Sequence, residues 1–184
     1  MGLPDWKRSI VELVAVKQRL AEVDTTGLWE HALPAVAATE AQLRAVENHI
    51  GQTLDPVYRA FLRHANGWPA FYQTVDLFGC DDLMGGRRFK HATEMLRFVE
   101  DGVLADAGLR RDDLLPIAGS AVDLDLFVMT RRSTAPSGVV VWIAGSEVDR
   151  FPSFSEYFLA MIDYNRLELR ELTPGTPPDP GPRH

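Results

Sequence analysis

Apolar residues recur at helical spacing from Trp6 to Leu20, where Trp6, Ile10, Leu13, Val14 and Leu20 are separated by Glu12, Lys17 and Arg19. The pattern predicts one amphipathic helix. Thr25-Thr26-Gly27 and Leu33-Pro34 interrupt any continuation, so the stretch from Asp24 to Pro34 reads as irregular. Thr39 and Gln42 then stand at capping-box spacing ahead of an apolar stripe of Leu43, Val46 and Ile50, and Gly51 supplies a left-handed end. A second short helix follows. Asp55 caps it, Pro56 occupies the first turn, and Tyr58, Phe61, Leu62 and Ala65 form its apolar face before Asn66-Gly67 reverses the chain into Trp68-Pro69.

Aromatic and β-branched residues from Phe71 to Phe78 predict a strand, ended by a turn at Gly79-Cys80-Asp81-Asp82, with Met84-Gly85-Gly86 as a flexible connection. Helical spacing returns from Lys90 to Gly102 through Ala92, Met95, Leu96 and Val99. Beyond the polar loop at Arg110-Arg111-Asp112-Asp113, strands are predicted at Leu114 to Ala118, Asp123 to Thr130 and Val139 to Ile143. The last two are joined as a long hairpin through Arg131 to Gly138, and Val148 to Phe151 adds a short strand. Ser153 and Glu156 repeat the capping-box spacing and open a final helix that turns Phe154, Phe158, Met161 and Ile162 inward. The order of elements predicts an α+β fold, a mostly antiparallel sheet flanked by N-terminal, middle and C-terminal helices.

Length and composition keep that picture to one unit. A single α+β domain is expected over residues 1–172, with 1–35 as an N-terminal helical extension. The remaining 173–184 carry five prolines and two glycines and are expected to be a disordered tail. The start has no basic-then-apolar leader, and no apolar run approaches the roughly 20 residues that span a bilayer. A single cysteine, Cys80, rules out an intrachain disulfide. Together these predict a cytoplasmic protein that neither crosses a membrane nor binds one.

Charge then narrows the partner. Against 19 basic residues stand 26 acidic ones, a formal net charge of −7. That sign repels phosphate backbones, so nucleic acid is not expected as a direct ligand, and a basic protein is the better fit. From Asp76 to Asp125 there are eleven acidic and six basic residues, so much of the surplus falls around the predicted sheet.

Three stretches carry a family likeness. The first runs from Ala38-Thr39-Glu40 through Ile50-Gly51, Leu54, Tyr58 and Phe61-Leu62 to Asn66-Gly67. The second is Leu114-Leu115-Pro116-Ile117-Ala118 with the strand after it, and the third is Val139-Val140-Val141-Trp142 followed by Ser153-Phe154 and the last helix. In this order they resemble the SUKH superfamily, which includes the yeast Smi/Knr cell-wall regulators and many bacterial toxin-immunity proteins. One departure is local: the family places proline directly after the position of Leu54, whereas Asp55 intervenes here and Pro56 follows. The resemblance implies an α+β domain whose sheet surface and neighbouring loops bind a protein, such as a toxin domain, and it implies no catalytic residues. The expected role is therefore an immunity protein that neutralises a basic polymorphic toxin by direct binding, or alternatively a scaffold or regulatory interaction module without a toxin.

Candidate chemistry adds little to a binding role. Asp123 and Asp125 alternate along the predicted strand, as a metal-bridged phosphate site requires, but no glycine-rich phosphate loop accompanies them, and a solvated or partner-facing strand face is the plainer reading. Asp81 and Asp82 beside Cys80 oppose the thiolate that nucleophilic chemistry needs, so Cys80 reads as a packing residue. The histidines show no zinc-binding spacing, and no serine occupies a nucleophile elbow. No enzyme activity and no cofactor are expected. The residues expected to face a partner are Trp68 in its turn, Tyr72 on the outer strand face, and the carboxylates Asp76, Asp81, Asp82, Asp123 and Asp125.

Overall fold

A computed structural model describes residues 4–131 and 136–173. The expected tail therefore lies, apart from Thr173, outside the described residues, as do residues 132–135 of the link between the two long-hairpin strands.

The helical expectations hold at the N-terminal end for the reasons that predict them. Asp5 caps α1 (Trp6–Val23), accepting from the Arg8 amide. In α2 (Glu40–Ile50) the capping box is complete, with Thr39 Oγ1 accepting from the Gln42 amide at 3.2 Å and Gln42 Oε1 from the Thr39 amide at 2.9 Å. Asp55 caps α3 (Pro56–Leu62) through the amides of Val57 and Tyr58, so helix initiation survives the shifted proline.

The predicted strand from Phe71 to Phe78 is instead a tight hairpin of β1 (Trp68–Tyr72) and β2 (Val75–Leu77), with Tyr72 opposite Val75. Ala70 and Gln73 take positive φ, 46° and 48°, without being Gly or Asn, so the sequence carries none of the usual hairpin signal. Tertiary contacts hold that backbone. The Asp76 carboxylate accepts from the Ala70 amide at 2.8 Å, Lys17 Nζ donates to the Ala70 carbonyl at 2.5 Å, and the Gln73 amide donates to Glu168.

The expected turn at Gly79–Asp82 is a one-turn helix, α4 (Cys80–Leu83). It explains the Asn66-Gly67 motif. Asn66 Oδ1 accepts from the Cys80 amide at 2.7 Å, a β-carbon on Gly79 would lie 2.1 Å from the Asn66 carbonyl oxygen, and one on Gly67 would lie 2.6 Å from the Gly79 nitrogen. The two segments cross where only glycines fit.

The single helix expected from Lys90 to Gly102 is two, α5 (Arg87–Phe98) and α6 (Asp101–Asp106), because Val99 and Glu100 turn extended between them. Arg111, in a 3-10 turn at Arg111–Asp113, holds this elbow. Its guanidinium donates to the carbonyls of Leu96 and Val99 and pairs with Asp101 at 2.6 Å.

β3 (Leu114–Ser120), β4 (Leu126–Thr130), β5 (Val140–Ala144) and β6 (Ser146–Phe151) extend the hairpin into a six-stranded antiparallel sheet in the order β1-β2-β3-β4-β5-β6. β3 and β4 are buried throughout, since helices cover both faces. A β-carbon on Gly119 would lie 3.7 Å from Ala92 of α5, whereas Ala118 pairs with Phe127, whose ring lies 5.1 Å from Tyr157 of α7 (Phe154–Leu172). Successive residues point to opposite faces, so α5 and α7 sandwich the sheet.

The core on the α7 side is aromatic and includes the helix expected as an extension. Trp6 of α1 sits between Phe61, Phe154 and Phe158, with ring centroids 5.4–5.7 Å apart. Phe154, Phe158, Met161 and Ile162 all turn inward as the periodicity predicts.

Candidate protein-binding surface

Two of the residues expected to face a partner do not reach the surface. Trp68 is 0% exposed, packs on Phe71 and Phe158, and its indole N–H donates to the Ala32 carbonyl at 2.8 Å. Following a turn did not expose it, because the segment before α2 runs back over the ring. Tyr72 is also buried, edge-on to Trp142 and tilted against Tyr164, and burial with the nearby Glu168 charge pushes its hydroxyl well above the usual tyrosine range. β1 is an edge strand, but α7 covers the face on which Tyr72 lies.

The carboxylates fall into two groups. Asp76, Asp81 and Asp82 come together at Arg88 of α5: the guanidinium lies 2.8 Å from Asp76 and 3.9 Å from Asp82. Asp81, Asp82 and Arg88 flank a shallow cleft of about 200 Å³ beside Gly67 and Trp68. Asp82 also accepts from the Gly79 amide, and burial raises its carboxyl above the ordinary aspartate range. Much of this cluster's charge is spent on Arg88 and on backbone amides, and only Asp81 is exposed. Cys80 beneath it is buried, with its thiol pushed up to about 11 by burial and by Asp81.

Asp123 and Asp125 do not alternate on a strand. β4 begins only at Leu126, and both aspartates lie in the turn from β3, where Ser120 Oγ accepts from the amides of Val122 and Asp123. Asp123 is exposed and accepts from Thr74 Oγ1 at 3.0 Å, whereas Asp125 accepts from the Trp142 indole at 2.8 Å. The two carboxylates serve different partners. Among the described residues no three His, Cys, Asp or Glu side chains gather as metal ligands, and no helix is long and apolar enough to cross a membrane.

The same turn borders the feature that the sequence reading missed. Between the α5–α6 elbow and the face of β4 and β5 lies a groove of about 410 Å³, floored by Leu126 and Ile143 and walled by Met95, Val99 and Val103. Phe98 and Leu124 line its mouth at 86% and 70% exposure, and Val122 beside Leu124 is 76% exposed. Large apolar side chains standing this far into water, next to one another and over an apolar floor, are the usual mark of a contact surface. The signal in the sequence is Phe98, which falls off the Ala92, Met95, Leu96, Val99 stripe and so has no place in the core. Its exposure follows from the elbow, since Arg111 ends α5 at Phe98 and turns α6 away from the sheet.

One carboxylate lines the groove and two lie near it. Glu100 lines it, Glu94 lies one helical turn before Phe98 on the same side of α5, and Asp123 separates Val122 from Leu124. The arginines nearby are engaged: Arg111 holds the elbow and Asp101, and Arg150 of β6 pairs with Glu147 and donates to the Ala107 carbonyl. Arg97 is exposed on α5 and, like Glu94 and Asp123, lies near the groove without lining it.

No curated protein matches the chain. The sequence profile described as the SMI1 / KNR4 family (SUKH-1) matches residues 37–160, from just ahead of α2, across the crossing of Gly67 and Gly79 and all six strands, into the first turns of α7. A match over about two thirds of the sequence that takes in the whole sheet and the groove places the chain in the SMI1 / KNR4 family (SUKH-1).

Proposed function

We propose that this chain is a cytosolic bacterial immunity protein that neutralises a polymorphic toxin by direct, stoichiometric binding, without chemistry of its own. The observation that carries this reading is the open groove with Phe98, Leu124 and Val122 exposed around it, in a fold whose family is consistent with protein interaction. Such a surface costs solvation while uncovered and is stabilised by a partner that fills it. The net charge of −7 favours a basic partner, because opposite charge speeds encounter and disfavours wrong ones.

The test is co-expression with a toxin encoded beside this gene. Growth should be rescued, and the two proteins should co-purify at one-to-one stoichiometry. A stable complex with an encoded neighbour that leaves toxicity untouched would instead favour the scaffold or regulatory reading. The absence of both rescue and complex would sink the immunity reading.

A further inference from the structure

We infer that the groove between the α5–α6 elbow and β4–β5 receives a bulky apolar side chain of a protein segment that carries lysine or arginine on either side of it. This inference rests on the protein-binding reading above and names what the partner presents. Three observations lead to it.

The first is size and lining. About 410 Å³ lies toward the lower end of the roughly 300–1,000 Å³ of typical ligand sites. It suits one or two large side chains rather than an extended interface. Leu126 and Ile143 form a floor that is itself buried, so the groove is a preformed hollow in a packed sheet. Anchor residues of protein interfaces enter pockets of this kind.

The second is the charge of the rim. Glu94, Glu100 and Asp123 are exposed and form no ion pair among the described residues, against one such cation nearby, Arg97, while Arg111 and Arg150 are paired with Asp101 and Glu147. A segment entering the groove meets the Glu100 carboxylate in its lining, with Glu94 near the helix side and Asp123, which accepts from Thr74 Oγ1, near the turn side. Cationic residues flanking the anchor satisfy them, and acidic residues there would be repelled.

The third concerns the competing occupant. A second copy of this chain docking through the same patch would form a two-fold interface in which each surface meets itself. Glu94, Glu100 and Asp123 of one copy would then face the same carboxylates of the other. The charge that favours a basic segment disfavours a homodimer.

The probe is a random-peptide display library selected on the intact protein and, in a parallel arm, on the Phe98→Asp/Leu124→Lys double variant. Both positions are largely exposed, and matching circular dichroism and melting of the variant would establish that its fold is kept. Selected peptides should carry a large apolar residue within a few positions of lysine or arginine. They should bind the double variant about tenfold or more weakly, and lose affinity to Glu100→Lys and to added salt. Enrichment of acidic or uncharged peptides, equal binding to both proteins, or no enrichment over the variant would overturn the inference. So would concentration-dependent dimerisation in sedimentation that the double variant abolishes, because the groove would then be self-occupied. The two readings fail separately. A toxin still neutralised by the double variant removes the groove and leaves the immunity role, whereas a groove that selects basic apolar peptides while no encoded neighbour binds leaves the groove and removes that role.

Discussion

Lys17 shows how one residue can be fixed by geometry and still be costly. Its side chain is buried, and its ammonium donates to the Ala70 carbonyl where the backbone takes positive φ. Burial lowers its pKa to about 8, with Glu168 and Glu30 pulling the other way. In the unfolded chain the same group titrates at its ordinary 10.5, so between these values the unfolded state holds more protons and stability rises with pH. The unfolding free energy from urea titration should gain about 1.5 kcal/mol relative to Lys17→Met from pH 8 to about pH 9.5, a difference in which the opposing contributions of the buried Cys80 thiol and the tyrosines cancel. Lys17→Met itself should show no rise, because the Cys80 thiol pushed up by burial contributes with the opposite sign. An unchanged slope would mean that Lys17 is more hydrated than its position indicates.

Among the elements, the α5–α6 elbow does most to shape the groove, and it rests on Arg111. Replacing Arg111 with methionine leaves the carbonyls of Leu96 and Val99 and the Asp101 carboxylate without their donor. A loss of about 1–3 kcal/mol is expected from such unpaired groups. Amide hydrogen exchange should quicken first in α6, and selected peptides should bind more weakly, before global unfolding is reached. Uniform loss of protection across the molecule would instead assign Arg111 a purely global role. The sequence announces the elements that end in local chemistry: the Thr39 and Ser153 caps, the Asp55-Pro56 start, the Leu114 and Val140 strands. It conceals those settled by distant residues. The β1–β2 hairpin turns at Gln73 because Lys17, Asp76 and Glu168 hold its backbone, and the helix from Lys90 breaks at Val99 because an arginine twelve positions later takes its carbonyl. For the same reason the site was only half legible. Asp123 is exposed, but in a turn rather than on the expected strand, whereas Trp68 and Tyr72 read as surface rings until the segment before α2 and helix α7 are laid over them.

On the scale of the whole molecule, the family match begins at residue 37, yet the fold does not. Trp6 and Leu13 of α1 belong to the same core as Phe61, Phe154 and Phe158, and α1 runs against α7. Trp6→Ala alone should cost about 3–5 kcal/mol, the usual range for deleting a buried aromatic ring. A chain lacking residues 1–23 should lose cooperative urea unfolding and near-ultraviolet dichroism while keeping much of its helix signal. Retention of a sharp transition by that truncated chain would make α1 an appendage rather than part of the core.

The pairing of α1 with α7 also sets an order of events during synthesis. Strands β1 to β6 each join the neighbour made just before, so the sheet can assemble as it leaves the ribosome. Trp6 cannot. Its partners Phe154 and Phe158 are translated nearly 150 residues later. Until α7 emerges, the first helix has Phe61 of α3 beside Trp6 but not the α7 face it packs on, and that interval is when the nascent chain is most exposed to aggregation and to chaperone capture.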